Sequence, residues 1–179
     1  MKPNTHTKIH SFFPIKVIET YLEFDTLPLI KELYNIKSHS PGVKVSNEGG
    51  FQTLDSLHTH PLFIPLVHKI NQSITQITNS QSIIASMWGN ISSKYNYNHA
   101  HIHDTDYIFR NNLLSGVFYL QTPINSGDIT FHSPTMSEMA SFEPSPNMLL
   151  IFPSSLVHAV NQNLSEEDRI SLAFNSHSY

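Results

Sequence analysis

The chain has 179 residues with a net charge of −4 and only 13% charged side chains, enough for one domain with a sizeable core and too little positive charge to mark a nucleic-acid footprint. It contains no cysteine, which excludes disulfides, thiolate metal sites and cysteine nucleophiles, so any bound metal must be held by imidazole or oxygen. The N-terminus has no apolar leader, and no uncharged apolar run approaches the roughly 20 residues of a membrane span, so a soluble, unprocessed protein is expected.

In chain order, Thr26 with Pro28 behind it starts a helix over about 27–37, with Leu29, Ile30, Leu33 and Ile36 at helical spacing. The segment from Ser40 through Gly50 is turn-rich and reads as an exposed connection without chemistry. Pro65 opens a second helix over roughly 64–79, striped by Leu66, Val67, Ile70, Ile74 and Ile77. From Ile83 the texture changes to short apolar runs, 83–88, 113–120, 128–131, 148–152 and 170–174, separated by glycine, proline and asparagine. The expected architecture is mainly β, a jelly roll over 83–179 backed by a helical N-terminal support region over 1–82.

Chemistry concentrates between Asn98 and Asp106, which hold His99, His101, His103, Asp104 and Asp106. On a strand, side chains two apart share a face, so His101 and His103 can share one metal, and His99 has the same parity. A further ligand must come from elsewhere, and His158, after the apolar run ending at Phe152, is the candidate. Two ligands from one strand and one from a later strand leave positions open on an octahedral metal, as oxygen chemistry requires. Twelve histidines stand against only two arginines, Arg110 and Arg169. Arg169 begins a later strand, and its planar fork can bind a carboxylate with help from the Ser171 hydroxyl, an anchor suited to a 2-oxo diacid. Arg110 is read as a solvated loop residue.

These segments resemble a 2-oxoglutarate/Fe(II)-dependent oxygenase family of bacteria and phages. The matching residues are Trp88 and Asn90, Asn98 with His101 and His103, Leu114-Ser115-Gly116-Val117-Phe118-Tyr119-Leu120, Pro123, Ser126-Gly127-Asp128-Ile129, Phe152-Pro153-Ser154, His158 with Val160, and Arg169 through Asn175. The resemblance covers roughly 85–176. It implies a double-stranded β-helix, Fe(II) held at His101, His103 and His158, 2-oxoglutarate held at Arg169, and dioxygen as co-reactant, in a bacterial or phage-infected cytoplasm. Tyr119 and Asn90 are further candidates for hydrogen bonds to cosubstrate or substrate, although a strand tyrosine is more often a core residue.

Two departures from the pattern stand out. The wider superfamily places a carboxylate where this chain has His103, so Asp104 or Asp106 becomes an alternate ligand if the strand bulges there. The connection from 104 to 114 is long and reads as a substrate lid. Trp88 reads as core packing and Ser115-Gly116 as a tight strand approach. The pair His58 and His60 is a weaker rival metal site, and His10, His39, His68, His132 and His177 read as structural. Competing functions are a cupin-like metal enzyme without 2-oxoglutarate and a catalytically silent β-helix that binds partners. The prime substrate is not specified, nucleic acid and membrane are not favoured as partners, and a homo-oligomer is compatible with the sequence.

Overall fold

The computed structural model describes residues 15–103, 113–133, 135 and 137–178. Two helices precede most of the strands: α1, Leu27–His39, and α2, Ile64–Thr78. Thr26 occupies the N-cap of α1 without a side-chain cap, and the Leu27 amide instead donates to Asp25 Oδ1 at 3.2 Å. Helix α2 stops at Asn79, whose left-handed φ of 55° is one that asparagine tolerates better than most residues.

Among the described residues, eleven strands form two sheets. In chain order they are β1 (Ile18–Tyr21), β2 (Asn47–Glu48), β3 (Phe51–Gln52), β4 (Ser82–Ser92), β5 (Tyr97–His101), β6 (Leu113–Gln121), β7 (Ile129–His132), β8 (Met139–Phe142), β9 (Met148–Pro153), β10 (His158–Val160) and β11 (Arg169–Ser178). The major sheet has the order β1-β9-β6-β11-β4-β3 and the minor sheet β2-β5-β10-β7-β8. Every strand pair within the sheets is antiparallel. Three strands thus arise before residue 82, in the region expected to be helical. They are two to four residues long, too short for a period-2 pattern to be read.

Strand alternation divides the apolar residues between two cores. On β11, Ile170, Leu172 and Phe174 join Leu149 and Ile151 of β9 in packing beneath Leu29 and Leu33 of α1 and Leu66, Ile70 and Ile74 of α2. The opposite faces contribute Val117, Leu150 and Phe152, which meet Ile129 and Phe131 between the sheets. Helix α1 lies so close to the major sheet that a Cβ on Gly89 would sit 2.4 Å from Leu33 Cδ2. A second close approach fixes β6, where a Cβ on Gly116 would meet Phe174 Cζ at 2.3 Å, as expected of a tight strand crossing. Among the described residues, no helix is long and apolar enough to cross a membrane.

Candidate metal centre and anion anchor

The inward face of β11 carries Arg169, Ser171, Ala173 and Asn175, and all four line a cavity of about 390 Å³ between the sheets. Opposite them, β5 ends at His101, and β10 begins at His158, directly paired with it. His103 lies just past β5, not on it, and its amide donates to Ser154 O at 3.1 Å. The two side chains nonetheless aim alike, their rings stacked with centroids 5.2 Å apart. One ring nitrogen from each of His101, His103 and His158 falls within 4.8 Å of the others.

Hydrogen bonds fix the tautomers. His101 Nδ1 lies 2.7 Å from His99 O, His158 Nδ1 2.9 Å from Leu156 O and His103 Nδ1 2.9 Å from Asn175 Oδ1. An acceptor oxygen beside each Nδ1 places the proton there and leaves Nε2 as a lone pair. Two of these lone pairs, on His103 and His158, face each other at 3.1 Å. Two neutral acceptors at that distance repel unless a cation sits against both, so this donor set fits a metal ion and leaves part of its coordination sphere open.

Burial and the neighbouring imidazoles hold His103 at about 4 and His158 at about 3, and burial lowers His101 as well. The folded values lie below the ordinary histidine value of about 6.5, so the unfolded chain takes up protons first as pH falls. The metal-free protein is therefore expected to be fully stable above about pH 6.5 and to lose stability as pH falls towards 4. Urea midpoints measured at pH 7.5 and 5.0 test this, and a midpoint that rises in acid would mean the cluster is charged when folded.

His99 does not join the cluster. Its Nε2 turns towards Glu48 Oε2 at 3.7 Å and its ring packs edge-on against Tyr97. Asp104, Asp106, Arg110 and most of the long connection read as a lid lie outside the described residues, as does His10. The rival pair is not assembled either. His60 Nε2 faces Glu32 at 3.5 Å, and neither His58 nor His60 belongs to any three-ligand group among the described residues.

Arg169 is 3% exposed, and no carboxylate pairs with it among the described residues. Its Nη1 donates to the carbonyls of Ser126, Gly127 and Asn161, which hold the guanidinium in place without neutralising it. Burial lowers the arginine's pKa, the expected direction for a charge without a counterion. Tyr119, pushed upward by burial, and Ser171 sit at paired positions on β6 and β11 beside it. Tyr119 is packed in the inter-sheet core and lines the cavity as well.

Two cavity residues gain roles that the sequence reading had not given them. Trp88, expected in the core, lines the cavity with its ring edge-on to His103 at 5.1 Å. Asn175 orients His103 and is braced by Ser115 Oγ at 2.7 Å and by its own donation to Ser86 Oγ at 3.2 Å. Its place four residues after Ser171 put it on the inner face, but only the fold brings His103 to it. Removing the outer partner of a ligating histidine typically costs ten- to a hundredfold in metal affinity. Asn175→Ala is thus expected to weaken metal binding by about that factor, whereas Asn175→Asp, which keeps the acceptor, should largely retain it. Equal affinity in all three proteins, by calorimetry, would remove Asn175 from this role.

Residues 133–175 match the family described as "Putative 2OG-Fe(II) oxygenase". The matched segment includes His158, Arg169 and Asn175 of the site. Solved structures of such enzymes share the double-stranded β-helix. The non-haem alpha-ketoglutarate-dependent epimerase SnoN from nogalamycin biosynthesis is 12% identical, with a TM-score of 0.74 over 89% of this chain and 76% of its own. A prolyl-4-hydroxylase of Pseudomonas putida is 14% identical, with a TM-score of 0.67 over 90% and 91%. HygX of Streptomyces hygroscopicus, solved with nickel and 2-oxoglutarate bound, is 13% identical, with a TM-score of 0.66 over 91% and 82%. At these identities the likeness is one of fold. No curated protein matches the chain in sequence.

Proposed function

We propose that this chain is an oxygenase that holds iron(II) with His101, His103 and His158, binds the distal carboxylate of 2-oxoglutarate with Arg169 and Ser171, and oxidises an organic substrate in the cavity between them. The observation that carries this reading is Arg169, a buried, unneutralised guanidinium across one cavity from three converging imidazole lone pairs. A buried cation without a partner is costly, and a dianionic cosubstrate supplies the missing charge. A cupin-like enzyme that does not use 2-oxoglutarate has no need of that anchor.

Iron(II) and 2-oxoglutarate, when bound, supply the activation of dioxygen, with 2-oxoglutarate leaving as succinate and carbon dioxide. The chain's own contribution is placement. Backbone carbonyls and Asn175 keep the three Nε2 atoms unprotonated and convergent, and Ser171 adds a hydroxyl to the carboxylate site. Tyr119 and Asn90 line the space between the two ends. Phe152 and Trp88 pack against the histidine rings and keep water from them.

Anaerobic titration of the metal-free protein with iron(II) and 2-oxoglutarate tests the reading. A visible metal-to-ligand charge-transfer band is expected only when both are present. Folded protein that binds iron yet develops no band would favour the cupin-like alternative.

A further inference from the structure

Cross-strand pairing places four cavity-lining side chains in one row across the major sheet. Gln52 on β3 pairs with Asn90 on β4, Asn90 with Ser171 on β11, and Ser171 with Tyr119 on β6. Tyr119 and Ser171 sit at the arginine end. Gln52 lies two strand spacings beyond Ser171, roughly 10 Å across the sheet, too far to share the carboxylate held there.

Gln52 is only 7% exposed as a residue, and its carboxamide, like that of half-buried Asn90, opens into the cavity without a hydrogen bond to any described side chain. The backbone of Gln52 is fixed on both sides. It pairs with Asn90 on one edge and accepts from the Val43 amide at 2.9 Å on the other, with Gly42 so close that a Cβ there would lie 2.6 Å from Gln52 O. Neighbouring Phe51 points to the opposite face, into the helix-side core, which commits Gln52 to the cavity. A carboxamide held in place with its donors and acceptors open to the cavity is free to pair with a ligand there.

The setting limits that ligand. Side by side on antiparallel strands, two carboxamides offer donors and acceptors together, the complement of another carboxamide. Val45 and Leu54, 71% and 67% exposed, border the cavity on this side and provide apolar flanks. The segment from Ser40 to Gly50, expected to be a connection without chemistry, thus supplies Val43, Val45 and Ser46 to the cavity wall. Among the described residues, no basic side chain other than Arg169 and the histidine cluster lines it, and Asp55 is the one carboxylate there.

Resting on the oxygenase reading above, we infer that Gln52 and Asn90 form the prime-substrate subsite and bind a neutral carboxamide flanked by hydrocarbon, whether of a small amide or of a peptide bond.

The test uses enzyme loaded with zinc(II) and 2-oxoglutarate and follows the side-chain NH₂ signals of Gln52 and Asn90 by NMR, assigned from their loss in Gln52→Glu and Asn90→Asp. Millimolar N-butylacetamide is expected to shift both signals, and the isosteric ester butyl acetate to bind about tenfold more weakly. Gln52→Leu should weaken amide binding by a similar factor while leaving 2-oxoglutarate affinity within about twofold. Gln52→Glu, which keeps the shape but not the donor, should show the same loss, so a folding defect in the leucine variant does not decide the outcome. N-acetyl-leucine methylamide binding tighter than N-butylacetamide would assign a peptide source, and no preference a small amide. Equal binding of amide and ester, unmoved signals, or a parallel loss of 2-oxoglutarate in Gln52→Leu would overturn the subsite. Failure of wild-type protein to bind 2-oxoglutarate, with both signals still moved by the amide, would remove the cosubstrate reading and leave the subsite.

Discussion

Arg169→Met is expected to abolish 2-oxoglutarate binding at millimolar concentrations while iron(II) still binds. The guanidinium is buried, carries no counterion among the described residues and is held by the carbonyls of Ser126, Gly127 and Asn161. Truncating one partner of a buried, hydrogen-bonded charge pair costs about 2–5 kcal/mol, or roughly thirty- to several-thousand-fold in affinity. Arg169→Lys keeps the charge but loses the planar fork, and should recover only part of the affinity. The folded protein reports the same event independently, because a ligand that binds only the native state raises the melting temperature. Wild-type protein should gain several degrees from saturating 2-oxoglutarate and Arg169→Met should gain none. A methionine variant with undiminished cosubstrate affinity would take Arg169 out of the site. Its own stability is expected to fall modestly, since three backbone carbonyls lose their donor.

His158→Ala should empty the metal site. His158 is buried at the start of β10, locked by its Nδ1 bond to Leu156 O, and is the one ligand contributed by a strand remote in sequence from the other two. Its removal leaves two donors, and the loss in iron(II) affinity should exceed the hundredfold at the upper end for outer-sphere changes. Metal content after gel filtration and calorimetric titration would both report it. His103→Ala should behave alike. Iron retained in His103→Ala but lost in Asp104→Ala would transfer the third ligand to the aspartate. Iron retained at full stoichiometry in His158→Ala would refute the assigned centre altogether.

The longer elements were legible in the sequence for a physical reason: α1, α2, β4, β6, β9 and β11 each bury a repeating apolar stripe, and a stripe shows its period. Arg169 and Ser171 were legible because β11 alternates cleanly between a helix-facing and a cavity-facing side. The expectation failed where placement depends on tertiary pairing. Residues 47–48 and 51–52 are strands only because sheet edges accept them, so Gln52 carried no local signal. His103 does aim with His101, as their spacing implies, but the bend after β5 and its braces, Ser154 and Asn175, carry no local signal. Trp88 was misplaced because an aromatic on a central strand reads as core on either face.

Strand β11 bears Arg169 near one end and Asn175 six positions on, about 20 Å apart along the extended backbone. It therefore works as a ruler, fixing the span between the carboxylate grip and the brace behind His103. Both marks face inward only because they lie an even number of positions apart. Deleting a single residue between them would turn one mark towards the helices and leave the other in register, so evolution can lengthen or shorten this gauge only in steps of two.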